Sequence, residues 1–269
     1  MAIKIGEIYN SLLDFESKSK KGRGEQVLYP IHKKLQFSDE KYNDISDWII
    51  DNFPINKGDF ILDAGCGTGY VLTKICSNLD CYGLGISLSQ KEIEYASVKT
   101  VEPGPEYRVT FEQKSFDEQF DNQFDFIIAI ESLKHSHSVQ NTIENLFAHL
   151  KPGGRIFILD DFETDSKFQF LKKQIGKLWA VDSFFPLSSI TEKLSELKST
   201  FKVFDFTSNV EYSGKKFTGL KVFVGYLLQP VARLLGVYKI YSIFFAGLCL
   251  ERLYKKRALE YKAVIAEKN

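Results

Sequence analysis

The most apolar part of this 269-residue chain contains no acid. Residues 219–250 ("GLKVFVGYLLQPVARLLGVYKIYSIFFAGLCL") hold three basic residues and neither Asp nor Glu. They also lack the unbroken run of roughly 20 apolar residues that a spanning helix needs, because Pro230, Arg233, Gly236 and Lys239 interrupt them. The segment reads as two helices, buried or in peripheral contact with a membrane. Net charge is absent from the chain as a whole, with 35 basic against 35 acidic residues. Without a basic excess there is no electrostatic footprint for nucleic acid, and no such partner is expected. Cysteine is sparse: Cys66, Cys76, Cys81 and Cys249 have no spacing that resembles a metal site, so no metal is expected and reduced thiols in a cytoplasmic protein are the simplest reading. The first twenty residues lack the apolar core of a secretion signal. No internal repeat or low-complexity tract occurs. What remains is a globular composition, 44% apolar and 26% charged.

From residue 55 onward, strand-like and helix-like stretches alternate. "DFILDAGCG" is a short apolar run bounded by turn residues, "YVLTKICSNL" is helical, and "DCYGLGIS" is a second strand. "SQKEIEYASVKT" is a helix with Ser89 at its N-cap. "YRVTFEQK", "FDFIIAI" and "RIFILDDF" are further strands. The helix "VQNTIENLFAHL" precedes the last of these and stops at "KPGG". This order predicts an α/β fold, a doubly wound sheet with helices on both faces. "ITEKLSELKST" is an amphipathic helix, while "FKVFDFTS" and the closing "YKAVIAEKN" read as strands. Residues 1–55 read as helical, with a loop at "SKSKKGRG".

The strand Phe60–Asp63 runs into Gly65-Cys66-Gly67-Thr68-Gly69, and a helix follows at Tyr70. Glycines there permit unusual backbone angles and close approach of a ligand, at the strand end where open α/β sheets bind. The spacing is G-x-G-x-G rather than the G-x-G-x-x-G of dinucleotide sites, which weakens an NAD(P) oxidoreductase reading. "LDAGCGTG" closely resembles motif I of class I S-adenosylmethionine (SAM) methyltransferases. The stretch "FDFIIAIESLKHSHSVQNTIENLFAHLKPGGRIFILDDF" is similar to that family's fourth strand, fourth helix and fifth strand.

The resemblance implies a Rossmann-like seven-stranded sheet whose last strand inserts antiparallel beside the fifth. It also implies SAM as cofactor, with S-adenosylhomocysteine as its product. Asp63, Gly65, Cys66, Gly67 and Gly69 would hold the amino-acid end of SAM. Most members end the second strand with an acid for the ribose hydroxyls. Here that place reads "GLGISLS", with no acid. "GISLSQKEIEYA" instead resembles cyclopropane fatty acid synthases and tocopherol- and sterol-type methyltransferases. In those relatives a polar residue on the next helix takes over, at the place of Glu92, and Ser87 and Leu88 would line the ribose. After the third strand, Ser115 and the backbone of Phe116 would meet the adenine, with Asp117 a rival.

"AIESLKH" is similar to the corresponding loop of sterol C-methyltransferases, so the resemblance makes Glu131 and His135 the general-base candidates. His32, in "LYPIHKKLQF", falls in the segment that folds over the pocket in these relatives; Tyr29 and Tyr9 are also candidates there. The His135-x-His137 pair lacks an evident third metal ligand, and His149 reads as structural. One methyltransferase domain is expected over 1–269. It would comprise a helical N-terminal cap (1–54), a SAM-binding core (55–208), an apolar helical lid insertion (209–258) and a last strand (259–269). The aromatic-rich lid suits a small hydrophobic acceptor, such as an isoprenoid, lipid or polyketide-like molecule methylated at carbon or oxygen. A non-catalytic SAM-fold binding protein is one alternative. A cyclopropane-synthase-like enzyme is another, against which stands the lack of any cysteine between Cys81 and Cys249. The sequence leaves homo-oligomerisation and membrane association of a cytoplasmic enzyme open.

Overall fold

The computed structural model describes residues 6–10, 13, 35–99, 108–164, 167–179, 181, 184–210 and 218–269. Seven strands form one sheet in the order β3-β2-β1-β4-β5-β7-β6. They are β1 (Phe60–Ala64), β2 (Tyr82–Ser87), β3 (Val109–Gln113), β4 (Phe124–Ile130), β5 (Leu150–Glu163), β6 (Thr200–Asp205) and β7 (Leu259–Glu267). All neighbours are parallel except the pairs made by β7, which runs antiparallel to both β5 and β6. The predicted class I methyltransferase topology is therefore present.

Eight helices with complete bounds accompany the strands: α1 (Ile45–Asn52), α2 (Tyr70–Leu79), α3 (Gln90–Lys99), α4 (Val139–Ala148), α5 (Gln169–Trp179), α6 (Ser188–Glu196), α7 (Thr218–Leu234) and α8 (Tyr238–Lys255). Alternation along the strands divides the core. Ile61, Phe126, Ile128, Phe157 and Leu159 pack on one face with residues of α1, α2, α5 and α8. Leu62, Ile127, Ala129, Ile156 and Ile158 pack on the other with α4 and α6. A strand buried on both sides has no solvent face, which is why "FDFIIAI" is wholly apolar apart from Asp125.

Two local readings change. "KPGG" does not terminate α4 as a free turn: β5 already begins at Leu150 and runs 14 residues. Gly153, at φ +75°, donates its N–H to Lys268 O at 2.8 Å, and the β4–β5 register shifts between Phe124 and Phe126. The turn is thus absorbed as an irregularity within the sheet. Pro230 sits inside α7 rather than ending it, and the break to α8 falls at Gly236, at φ +70°. His32, Tyr29 and the "SKSKKGRG" loop lie outside the described residues.

Candidate active site at the strand switch point

The strand order reverses between β1 and β4, so their carboxyl ends flank the crevice where open α/β sheets bind ligands. The glycine turn leaves β1 there. Gly65, Gly67 and Gly69 all have positive φ, at 100°, 52° and 74°. Gly65 and Cys66 both donate backbone N–H groups to Ile86 O, at 3.0 and 2.9 Å, tying the turn to the end of β2. A side chain at Gly65 would collide with Ser132 Cβ, and one at Gly69 would come within 2.5 Å of Phe111. Gly67 differs: among the described residues a Cβ there meets nothing nearer than Glu92 Oε1, at 3.9 Å. Among those residues one wall of the turn is therefore open, with a carboxylate across from it.

Glu92 is placed there by a half-used capping box. Ser89 Oγ accepts the Glu92 N–H at 3.2 Å, as an N-cap should. The reciprocal bond from the glutamate side chain is replaced. Ser87 Oγ takes the Ser89 N–H at 3.1 Å and donates to Glu92 Oε2 at 2.7 Å. The carboxylate turns toward Gly67 instead of back along its own helix.

Asp63, 3% exposed at the end of β1, is pushed up to about 7 by burial. Burial, and then the charges of Asp63 and Glu92, raise the Cys66 thiol well above its usual value, so it stays a neutral packing group rather than a nucleophile. Ser132 Oγ, buried against Gly65, has no hydrogen-bond partner among the described residues. Such an orphaned hydroxyl suits a polar ligand group.

Glu131 leaves β4 in the left-handed region, φ +53°, a conformation that costs a non-glycine residue about 1–2 kcal/mol. Its N–H is held by Leu159 O at 2.7 Å, and its Oε1 accepts from Tyr261 Oη at 2.7 Å. Burial, reinforced by Glu131, raises the Tyr261 phenol far above its ordinary value, so it remains the donor. His135 is buried, its Nε2 2.8 Å from Tyr9 Oη and the two rings edge to face. His137 is exposed, and among the described residues no group of three or more His, Cys, Asp or Glu side chains is arranged to hold a metal ion. His149 has a structural place. Its Nε2 accepts from the Phe120 N–H at 3.2 Å, which puts the ring proton on Nδ1, facing Asn145 O at 2.8 Å.

On the third-strand side, Ser115 Oγ accepts the Asp117 N–H at 3.1 Å, a local turn bond, and Phe116 is buried. Asp117 accepts from Thr142 Oγ1 and so ties this turn to α4. Leu88 follows β2 partly exposed, its carbonyl accepting from Gln113 Nε2 at 3.1 Å.

One group was anticipated only in part and another escaped the sequence reading. Residues 6–10 are helical, as expected of the N-terminal cap, and strap the site: Tyr9, a candidate from sequence, reaches His135; not foreseen are Gly6, packed on the Leu88 carbonyl, and Asn10, whose Oδ1 accepts from Ser89 Oγ at 2.7 Å. Beneath the loop after β4, Lys134 Nζ lies 2.5 Å from Asp161 and 3.4 Å from Asp160, and Tyr254, on α8, donates to Asp161. All three charged groups are buried. Burial pulls the lysine down, but Asp161, Asp160 and Glu131 outweigh it and hold it well above the usual range. Burial leaves Asp160 at about 6 despite Lys134. The doublet "DD" was the only hint in the sequence.

The comparisons bear on the family and the fold. A methyltransferase-domain family model matches residues 37–209, and the chain belongs to that family; its fold is that of class I SAM-dependent methyltransferases. It is 32% identical over 118 residues to a 27-O-demethylrifamycin SV methyltransferase from Amycolatopsis mediterranei (strain S699), covering 43% of each chain. It is 29% identical over 212 residues to the O-methyltransferase resE of Aspergillus sclerotiorum, covering 74% of this chain and 77% of that one. A sterol 24-C-methyltransferase of Aspergillus fumigatus is 29% identical over 114 residues, 42% of this chain and 30% of that one. The match thus spans less than half of the length of two of these three relatives. In fold, the chain superposes on the Mycobacterium tuberculosis cyclopropane synthase MmaA2 with a TM-score of 0.75 at 14% identity, covering 98% of both. It superposes on the [4+2]-cyclase SpnF with a TM-score of 0.72 at 19% identity, covering 100% and 96%.

Proposed function

We propose that this chain transfers a methyl group from SAM to a small hydrophobic acceptor. The observation that carries the reading is the open wall at Gly67, faced by Glu92, with the orphaned Ser132 hydroxyl and buried Asp63 beside it. These groups fit a donor that is cationic at one end and carries hydroxyls at the other. Asp63 offers a carboxylate whose ionisation a cation would favour. Glu92, held by Ser87, offers an acceptor for two hydroxyl donors. SAM brings a methyl already activated on sulfonium, so the protein's task is to position a nucleophile, exclude water and take up a proton where the acceptor releases one.

Glu131 and His135 are the groups proposed for that proton, each oriented by a tyrosine, Tyr261 and Tyr9. The strap at residues 6–10, bound to both the β2 and β4 loops, would exclude water. Support for an apolar acceptor comes from the relatives, which include rifamycin and sterol methyltransferases, and from the apolar C-terminal helices. The domain limits proposed are a cap over 1–54, a core over 55–208, a lid over 209–258 and a closing strand over 259–269.

The test is Glu131→Gln, assayed with labelled SAM against apolar metabolite extracts. Turnover should fall by roughly 10²–10⁴-fold while S-adenosylhomocysteine affinity stays within a few-fold. Loss of that affinity instead makes Glu131 a cofactor ligand. Wild-type protein that binds the cofactor yet methylates no extract supports the non-catalytic alternative.

A further inference from the structure

α7 buries only a narrow seam. Thr218, Val222, Gly225, Gln229 and Ala232 are buried, spaced four, three, four and three residues apart. This seam meets α8, where Gly225 lets Phe245 approach and its carbonyl accepts from Tyr241 Oη, and α5, where Gln229 donates to Gln174 at 3.3 Å. At 100° per residue, the centre of the opposite face lies about 180° away. That face is Leu220, Phe223, Leu227, Val231 and Leu234, exposed by 61%, 60%, 57%, 47% and 87%. Leu235 and Val237 extend it, and on α5 the exposed Phe170 packs edge to face on Tyr226 at 5.1 Å.

A surface helix normally turns polar residues outward, and a continuous apolar stripe of this kind marks an interaction site. The charges on α7 decide which. Lys221 and Arg233 stand one on each flank, about 120° from the centre of the outward stripe by the same rotation, and residues 219–250 contain no acid. A second copy packed on the same face would bring like charges together with no carboxylate to meet them. An anionic lipid surface supplies both the apolar layer and the negative charge. Among the described residues no helix is long and apolar enough to cross a membrane.

The geometry points to α7 as a peripheral docking face for anionic membranes, lying flat with Leu220, Phe223, Leu227, Val231 and Leu234 in the acyl layer and Lys221 and Arg233 at the head groups. The test is co-sedimentation of the full chain with phosphatidylcholine vesicles, with and without phosphatidylglycerol, and with no methyl donor present. Its result is therefore independent of the proposed reaction.

Wild type should partition onto the anionic vesicles and be released by salt. Phe223→Ser/Leu227→Ser, checked for folding by circular dichroism, should weaken partitioning roughly tenfold or more. Lys221→Gln should weaken it about fivefold, and only on anionic vesicles. No partitioning of wild type, or unchanged partitioning of the double variant, overturns the proposal. So does a wild-type dimer in sedimentation velocity that the double variant converts to monomer, because a second copy would then cover this face.

Discussion

Replacing Asp63 by asparagine should make the protein more stable and its cofactor site worse. Asp63 is 3% exposed at the end of a fully buried strand, and burial raises it from 3.8 to about 7. Its folded-state affinity for a proton thus exceeds its unfolded one. The Asp63 contribution to stability is fully present below about pH 4 and is lost as pH rises through about 7. A shift of about three units, at 1.36 kcal/mol each, sets an upper bound of about 4 kcal/mol on the cost of the ionised group at pH 8. Asp63→Asn removes that cost and retains a polar side chain that still needs partners. The difference in unfolding free energy between variant and wild type should therefore be near zero around pH 4, grow between pH 4 and 7, and level off above. Urea denaturation across that pH range measures it, with S-adenosylhomocysteine titrated in parallel. Equal stability at pH 8, or a variant that is less stable at every pH, would refute the claim that Asp63 is held at a cost to the fold.

Two further perturbations probe the frame around the site. Lys134→Met leaves Asp160 and Asp161 buried without their cation and should destabilise the fold by about 3–5 kcal/mol at neutral pH. Because Lys134 lowers Asp160, which stands at about 6 with the lysine present, the variant's Asp160 takes up its proton at higher pH. The deficit should therefore shrink as pH falls toward about 6 and level off below it, and thermal unfolding against pH reads it. Gly65→Ala places a Cβ against Ser132 at φ +100°; it should cost more than about 1 kcal/mol in denaturant unfolding and weaken S-adenosylhomocysteine binding.

What was legible in the sequence follows the range of the forces involved. The G-x-G-x-G turn, the Ser89 cap and the alternating strands are local, so spacing reveals them. Glu131 was legible through resemblance, but its left-handed backbone was not, since Leu159 on β5 and Tyr261 on β7 hold it in place. Lys134, Asp161 and Tyr254 meet from three elements up to 120 positions apart in the chain, and nothing near Lys134 signals a buried cation. Asn10 reaches Ser89 across 79 positions. The outward face of α7 was hidden for a different reason. Uniform hydrophobicity has no period, so only the packing against α8 and α5 distinguishes the seam from the surface.

The central claim is that the turn after β1 and Glu92 together form the SAM site. Calorimetric titration of S-adenosylhomocysteine into wild type and Glu92→Gln tests it most directly. Wild type should bind, and the variant should lose roughly tenfold or more in affinity, the worth of a hydrogen bond to a charged acceptor. No binding by wild type, or equal binding by the two, would contradict the account.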